Sequence, residues 1–351
     1  MTGPLDREAI AAIDGADILS DVLDFPAQLR DALWRVESAG LEAHDAQGGL
    51  VVAGMGGSGI GGALAQAVLG ERATRPIVLS RGYGLPAWTT PDTTVLCASY
   101  SGQTEETLAA YEAASALGAR RVVVTTGGPL ADAARADGVP VIPIAGGMQP
   151  RCAVAYMTVA ALEVAAACGA APSLHAEIDV AAAHAERLVE EWGPEGAEDS
   201  LAKSLARSLH GTIPVIGGSD LTFPVAYRWK TQLNEMAKTP AFAHELPELD
   251  HNEIVGWEGA REAGSFAAVF LDDPDLHPRV RSRIELTRDL IEPAAAAAMV
   301  VRSPDGDRAE RIMALVLLGD LVSVYVAVLR GVDPTPVAII EQLKGELARR
   351  G

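Results

Sequence analysis

Short apolar runs separated by stretches of helical period organise most of the chain. Gly49–Ala53 (GLVVA), Pro76–Ser80, Thr93–Ala98, Arg121–Thr125 and Val139–Ile144 recur at similar spacing, with alanine-rich stretches such as Glu105–Leu117 between them. Continuous Val/Ile runs alternating with helices predict a parallel sheet buried on both faces. An amphipathic segment runs to about Ser38, and Ala153–Ala171 predicts a long apolar helix that closes this half. Pro172 and the charged stretch His184–Asp199 read as a connector, after which the pattern restarts. Thr212–Gly217, Phe266–Leu271 and Ala298–Arg302 predict strands; Leu221–Lys238, Pro278–Ile291 and Arg308–Arg330 predict helices, with a last helix reaching Arg349. The expected fold class is α/β with two domains, each a parallel sheet flanked by helices on both faces. The expected divisions are an N-terminal helical segment 1–40, a first domain 41–172 and a second domain 195–351.

Composition narrows this reading. A length of 351 residues suits two domains, and 49% hydrophobic residues with only 5% aromatic favour aliphatic helices on buried strands. A formal charge of −19 argues against a nucleic-acid partner, which needs a basic face. Cys97, Cys152 and Cys168 have no metal-ligand spacing and read as buried, reduced thiols. The apolar stretches near Ala153–Ala171 and Ile312–Leu329 each hold an acid, Glu163 and Asp320, and read as core helices rather than membrane spans. Asp6, Arg7 and Glu8 do not suit a secretory leader, so the expected compartment is the cytoplasm.

The candidate chemistry begins where the first strand ends. Gly54–Met55–Gly56–Gly57–Ser58–Gly59 matches G-x-G-x-x-G and opens a helix, which raises a nicotinamide-dinucleotide site. The acid that such a site needs after the second strand is missing: Leu79–Ser80–Arg81 stands there, and no G-K-[ST] of a nucleotide loop follows. The loop after the third strand says more. Ser99, Ser101 and Thr104 surround Gly102 just before a helix begins, and hydroxyls with free N–H groups suit a phosphate dianion. Thr104 with a later Glu could instead form only a capping box. In the second half, Glu235 stands between Asn234 and Lys238 on a predicted helix, and His251 lies in a polar turn. A Glu beside a Lys is usually a solvated pair and a lone His usually a surface residue.

Gly54–Gly62 followed by SYSGQTEET resembles the SIS (sugar isomerase) domain, whose members bind phosphosugars through a Ser/Thr-rich loop. The resemblance extends to the bifunctional phosphoglucose/phosphomannose isomerases. It is carried by Gln149–Pro150–Arg151, by R-x-K-x-x-x-N-E-x-A-K at Arg228–Lys238, by P-E-x-x-H-N-E-I-V-G at Pro247–Gly256, and by Val332–Val337 with Ile340–Lys344. It implies two SIS-type domains and interconversion of glucose 6-phosphate, and mannose 6-phosphate, with fructose 6-phosphate through an enediolate. It implies Glu235 as the base, Arg151 as the cation facing the enediolate, and His251 and Lys344 as ring-opening groups. Gly57, Ser58, Ser99, Ser101 and Thr104 would hold the sugar and its phosphate, and Thr335 would lie near C2–C3. It further implies a homodimer in which His251 crosses to the neighbouring subunit. No cofactor is expected, and no metal either, because no H-x-H, H-E-x-x-H or carboxylate cluster has ligand spacing and Arg151 makes an ion unnecessary. Gln103 stands where asparagine is common, and Met236 where a polar residue is expected. The readings from other classes are a phosphosugar-binding regulator without catalysis, an isomerase of another sugar phosphate, and a nicotinamide-dependent oxidoreductase.

Overall fold

The computed structural model describes residues 3–350. Its first sheet contains β1 (Leu50–Gly54), β2 (Ile77–Ser80), β3 (Thr94–Ala98), β4 (Arg120–Thr125) and β5 (Val141–Pro143), all parallel, in the order β2-β1-β3-β4-β5. Successive side chains on a strand point to opposite faces, so the buried strands feed two layers. Val51 and Ala53 of β1 and Val95 and Cys97 of β3 meet Ala110, Tyr111 and Ala114 of helix Glu105–Leu117. Leu50, Val52, Leu96 and Ala98 face the other way, into the main core with helices Gly56–Leu69 and Val154–Ala167.

The second sheet contains β6 (Ile213–Gly218), β7 (Phe242–Glu245), β8 (Phe266–Asp272) and β9 (Ala297–Arg302), again parallel, in the order β7-β6-β8-β9. Helix Phe223–Glu235 packs on β6 and β7, and helix Pro278–Ile291 on β8 and β9. Strand β7 has no counterpart in the sequence reading. Its residues FAHE form neither an apolar run nor an alternating pattern, and it pairs on one side only.

Helix Arg308–Arg330 joins the two halves. It is long and apolar enough to cross a membrane, yet Ala309 and every residue from Arg311 to Ala327 are buried in protein. It packs on helix Phe223–Glu235 and on helices His175–Trp192 and Leu201–Leu209. This corrects the expected connector: residues 184–192 belong to helix His175–Trp192, whose Ile178, Ala181, Ala185, Leu188 and Trp192 are buried at helical spacing. The charges that suggest a linker lie on its outer side.

One close approach fixes how the central helix meets the helix carrying Glu235. A Cβ on Gly319 would collide with Trp229 Nε1, and that N–H donates to the Leu315 carbonyl at 2.8 Å. Gly319→Ala should therefore destabilise the chain by about 1–3 kcal/mol, the usual cost of overpacking a filled core. Chemical denaturation would show this as a lower midpoint with an unchanged slope.

Candidate active site

The site is assembled where β1 and β3 end, beside the reversal of strand order at which open α/β sheets bind ligands. Helix Gly56–Leu69 starts directly after β1, and Gly57 lets another segment approach it. A Cβ there would lie 2.9 Å from the Pro150 carbonyl oxygen and 3.1 Å from Arg151 Cα. Ser58 is buried, and its Oγ accepts the Tyr100 N–H at 3.1 Å, which ties the glycine turn to the loop after β3.

That loop is held by its own hydroxyls. Ser99 Oγ accepts the Gly102 N–H at 3.0 Å and lies 2.8 Å from Thr104 Oγ1, while Ser101 Oγ accepts the Gln103 N–H at 3.2 Å. Gly102 takes φ +66°, where a Cβ would run into the Gly127 carbonyl oxygen, so only glycine fits. Thr104 occupies the N-cap position of helix Glu105–Leu117, but its side chain makes no capping bond. The capping box that the sequence allows therefore does not form at this helix.

Arg151 sits in the tight turn Pro150–Cys152 that follows β5, and only 4% of it is exposed. Its Nη2 donates to the carbonyls of Pro334 (2.9 Å) and Thr335 (2.6 Å), and its Nη1 lies 3.6 Å from Glu235 Oε2. Its Nε is buried without a partner, as is Thr335 Oγ1. The turn is clamped from behind: Arg228 Nη2 donates to the Arg151 carbonyl at 2.9 Å. Arg228 also makes two bonds to Asp320, at 3.0 and 2.6 Å, and Gln232 Nε2 adds a third donor to that carboxylate at 3.0 Å. Three donors on one buried acid satisfy a charge that would otherwise be costly.

Glu235 is the last residue of helix Phe223–Glu235, and its side chain remains 30% exposed. The chain then turns sharply at Lys238, whose φ of +51° is unusual for a residue with a side chain. Lys238 Nζ donates to the Glu235 carbonyl at 2.7 Å and to the Pro334 carbonyl at 3.1 Å. Burial, and then the neighbouring Arg151 charge, hold the Lys238 ammonium below its ordinary pKa. Glu235 and Lys238 line an open cavity of ≈ 590 Å³ together with Pro336–Ile340.

The remaining expected residues lie outside this group. His251 is exposed at the end of the turn Glu248–His251, which is fixed by Arg283 and Thr287 bonding to Asp250. Lys344 is exposed on helix Ala338–Arg350, none of whose residues is buried. Sequence reasoning assigns no role to Arg228, Asp320 or Lys238. A signal for Asp320 exists, since a lone acid in a long apolar helix needs a buried partner. Among the described residues, no three His, Cys, Asp or Glu side chains are grouped to hold a metal ion.

Comparison with known proteins rests on the sequence relatives at 30% identity or more. Residues 198–347 match the family model described as the bacterial phospho-glucose isomerase C-terminal SIS domain. A bifunctional phosphoglucose/phosphomannose isomerase from Caldicellulosiruptor bescii is 38% identical over 336 residues, covering 94% of this chain and 99% of that protein. Its namesake from Thermoplasma acidophilum is 31% identical over 94% of this chain and 99% of its own. Among solved structures, a hypothetical protein from Thermus thermophilus superposes with a TM-score of 0.74 at 18% identity, covering 98% of this chain and 93% of its own. A glucose-6-phosphate isomerase like protein from the same organism gives 0.62 at 21%, covering 97% and 98%. The two structures share the fold, and the sequence relatives decide the family: the chain belongs to the bifunctional phosphoglucose/phosphomannose isomerases, built on the SIS α/β fold.

Proposed function

We propose that this chain reversibly isomerises glucose 6-phosphate, and also mannose 6-phosphate, with fructose 6-phosphate by moving a proton between C1 and C2. The observation that carries the reading is the meeting of Arg151 and Glu235. A buried guanidinium with an unpartnered Nε stands 3.6 Å from a part-exposed carboxylate, although 84 residues separate them in the chain (235 − 151). Glu235 takes the proton and returns it to the adjacent carbon, and Arg151 balances the charge that grows on the enediolate oxygens. Ser99, Ser101 and Thr104, with Gly57 and Ser58, hold the phosphate end. Thr335, with its free hydroxyl, stands near C2–C3, where both epimers must be accommodated.

His251 and Lys344 open the sugar ring in this reading. The exposure of His251 supports its delivery to the site of a second copy, in a homodimer with composite active sites. The working compartment is the cytoplasm, and the chemistry asks for no cofactor.

The test is to incubate the purified chain with fructose 6-phosphate in EDTA and to quantify glucose 6-phosphate and mannose 6-phosphate separately. Both products are expected. Binding of the sugar phosphate without turnover would replace the enzyme with a phosphosugar-binding regulator.

A further inference from the structure

Arg81 and Lys230 differ from most cations of this acidic chain. Against 47 acids the chain has 28 Lys and Arg, and most of these sit beside a carboxylate. Arg81 and Lys230 form no ion pair among the described residues and share an aromatic ring instead. Arg81 Cζ lies 5.2 Å and Lys230 Nζ 4.7 Å from the centroid of Tyr227. A ring face attracts a cation but neutralises none of its charge. Two unneutralised cations on one tyrosine repel each other until an anion joins them.

Their position says which anion. Lys230 is on helix Phe223–Glu235, five residues before the proposed base. Arg81 follows the last residue of β2, at the same end of the sheet as the glycine turn. Its Nε lies 3.9 Å from where a Cβ on Gly59 would be, next to Ser58. Two residues later, Tyr83 donates to Glu105 Oε2 at 3.2 Å, at the first residue of the helix behind the hydroxyl loop. The Arg81 segment thus reaches the residues directly beside both loops to which the phosphate end is assigned, Gly59 after Ser58 and Glu105 after Thr104, and Tyr227 links it to the helix of Glu235.

We propose that Arg81 and Lys230, held over Tyr227, form a cationic collar that captures the phosphate dianion of the substrate and delivers it to the Ser99–Thr104 loop. A net charge of −19 repels a dianion at long range, and salt screens that field within about 8–10 Å, so a local pair of free cations sets the final approach. This inference rests on the sugar-phosphate reading above and adds two residues to it.

The test compares wild type with Arg81→Gln, Lys230→Gln and the double variant. Steady-state kinetics with fructose 6-phosphate and calorimetric binding of inorganic phosphate are both followed across a series of salt concentrations. Arg81 is exposed and Lys230 half-buried, so neither change opens the core. Each single change should raise KM and weaken phosphate binding about tenfold, as for loss of one charge-assisted contact, with kcat nearly constant. The double variant should also flatten the fall of kcat/KM with salt, and Arg81→Lys should keep most of the affinity. Variants that match wild type in phosphate affinity and in salt dependence would overturn the collar while leaving the isomerase reading intact. A wild-type chain that neither binds phosphate nor turns over fructose 6-phosphate would overturn both.

Discussion

Glu235→Gln is expected to lower isomerase turnover by about 10²–10⁴-fold while leaving KM for fructose 6-phosphate nearly unchanged. Gln keeps the shape and the hydrogen-bonding reach of Glu but cannot accept and return a carbon-bound proton. The residues assigned to the phosphate lie on the loops after β1 and β3, remote in sequence and untouched by the change. The backbone of Glu235 would also stay in place, because Lys238 binds its carbonyl and Asn234 Oδ1 accepts the Ala241 N–H at 2.9 Å. Loss of kcat at constant KM is the signature of an interaction made only in the transition state. Running the wild-type reaction in D₂O supplies the second readout. A proton shuttled by Glu235 exchanges with solvent and labels the product, whereas a direct hydride shift would not. Turnover retained in Glu235→Gln would remove Glu235 from the chemistry even if the isomerase activity were real.

The parts of this molecule that can be read from sequence are those whose pattern is local. The strands β1, β3, β6 and β8 are buried on both faces, so their continuous apolar runs announce them within a residue or two. Strand β7 is invisible because an edge strand with part-exposed residues needs no apolar run. The second half of helix His175–Trp192 reads as a connector because its charged residues outnumber its large apolar ones, and much of its buried face is alanine. The site divides in the same way. The glycines cluster because the turn after β1 uses them together, and the hydroxyls because the turn after β3 does. Arg151, Glu235 and Pro334 come from three distant segments, and no periodicity could join them; family likeness points to the first two. The bond from Lys238 to the Pro334 carbonyl is made by a residue in a left-handed turn, which the sequence does not signal.

The ion pair behind Arg151 supports the second large effect. Asp320→Ala would leave Arg228 buried, with 1% of it exposed and no counter-charge, and should cost about 3–5 kcal/mol of stability. That loss alone would not separate a structural role from a catalytic one, because a weakened fold also loses activity. The pair Arg228→Met with Asp320→Leu makes the separation. Replacing a buried ion pair by apolar side chains of similar volume is often neutral or stabilising, so the double variant should recover much of the lost stability. It cannot replace the Arg228 N–H that holds the Arg151 carbonyl at 2.9 Å. The Arg151 carbonyl would then lose its side-chain donor, which loosens the residue whose guanidinium must face the enediolate. Turnover should stay depressed in a stable protein, with kcat affected more than KM, since small misplacements of a charge-stabilising group weaken transition-state binding first. A double variant with wild-type stability and wild-type kcat would show instead that Arg151 needs no support from Arg228, and that the pair serves the core alone.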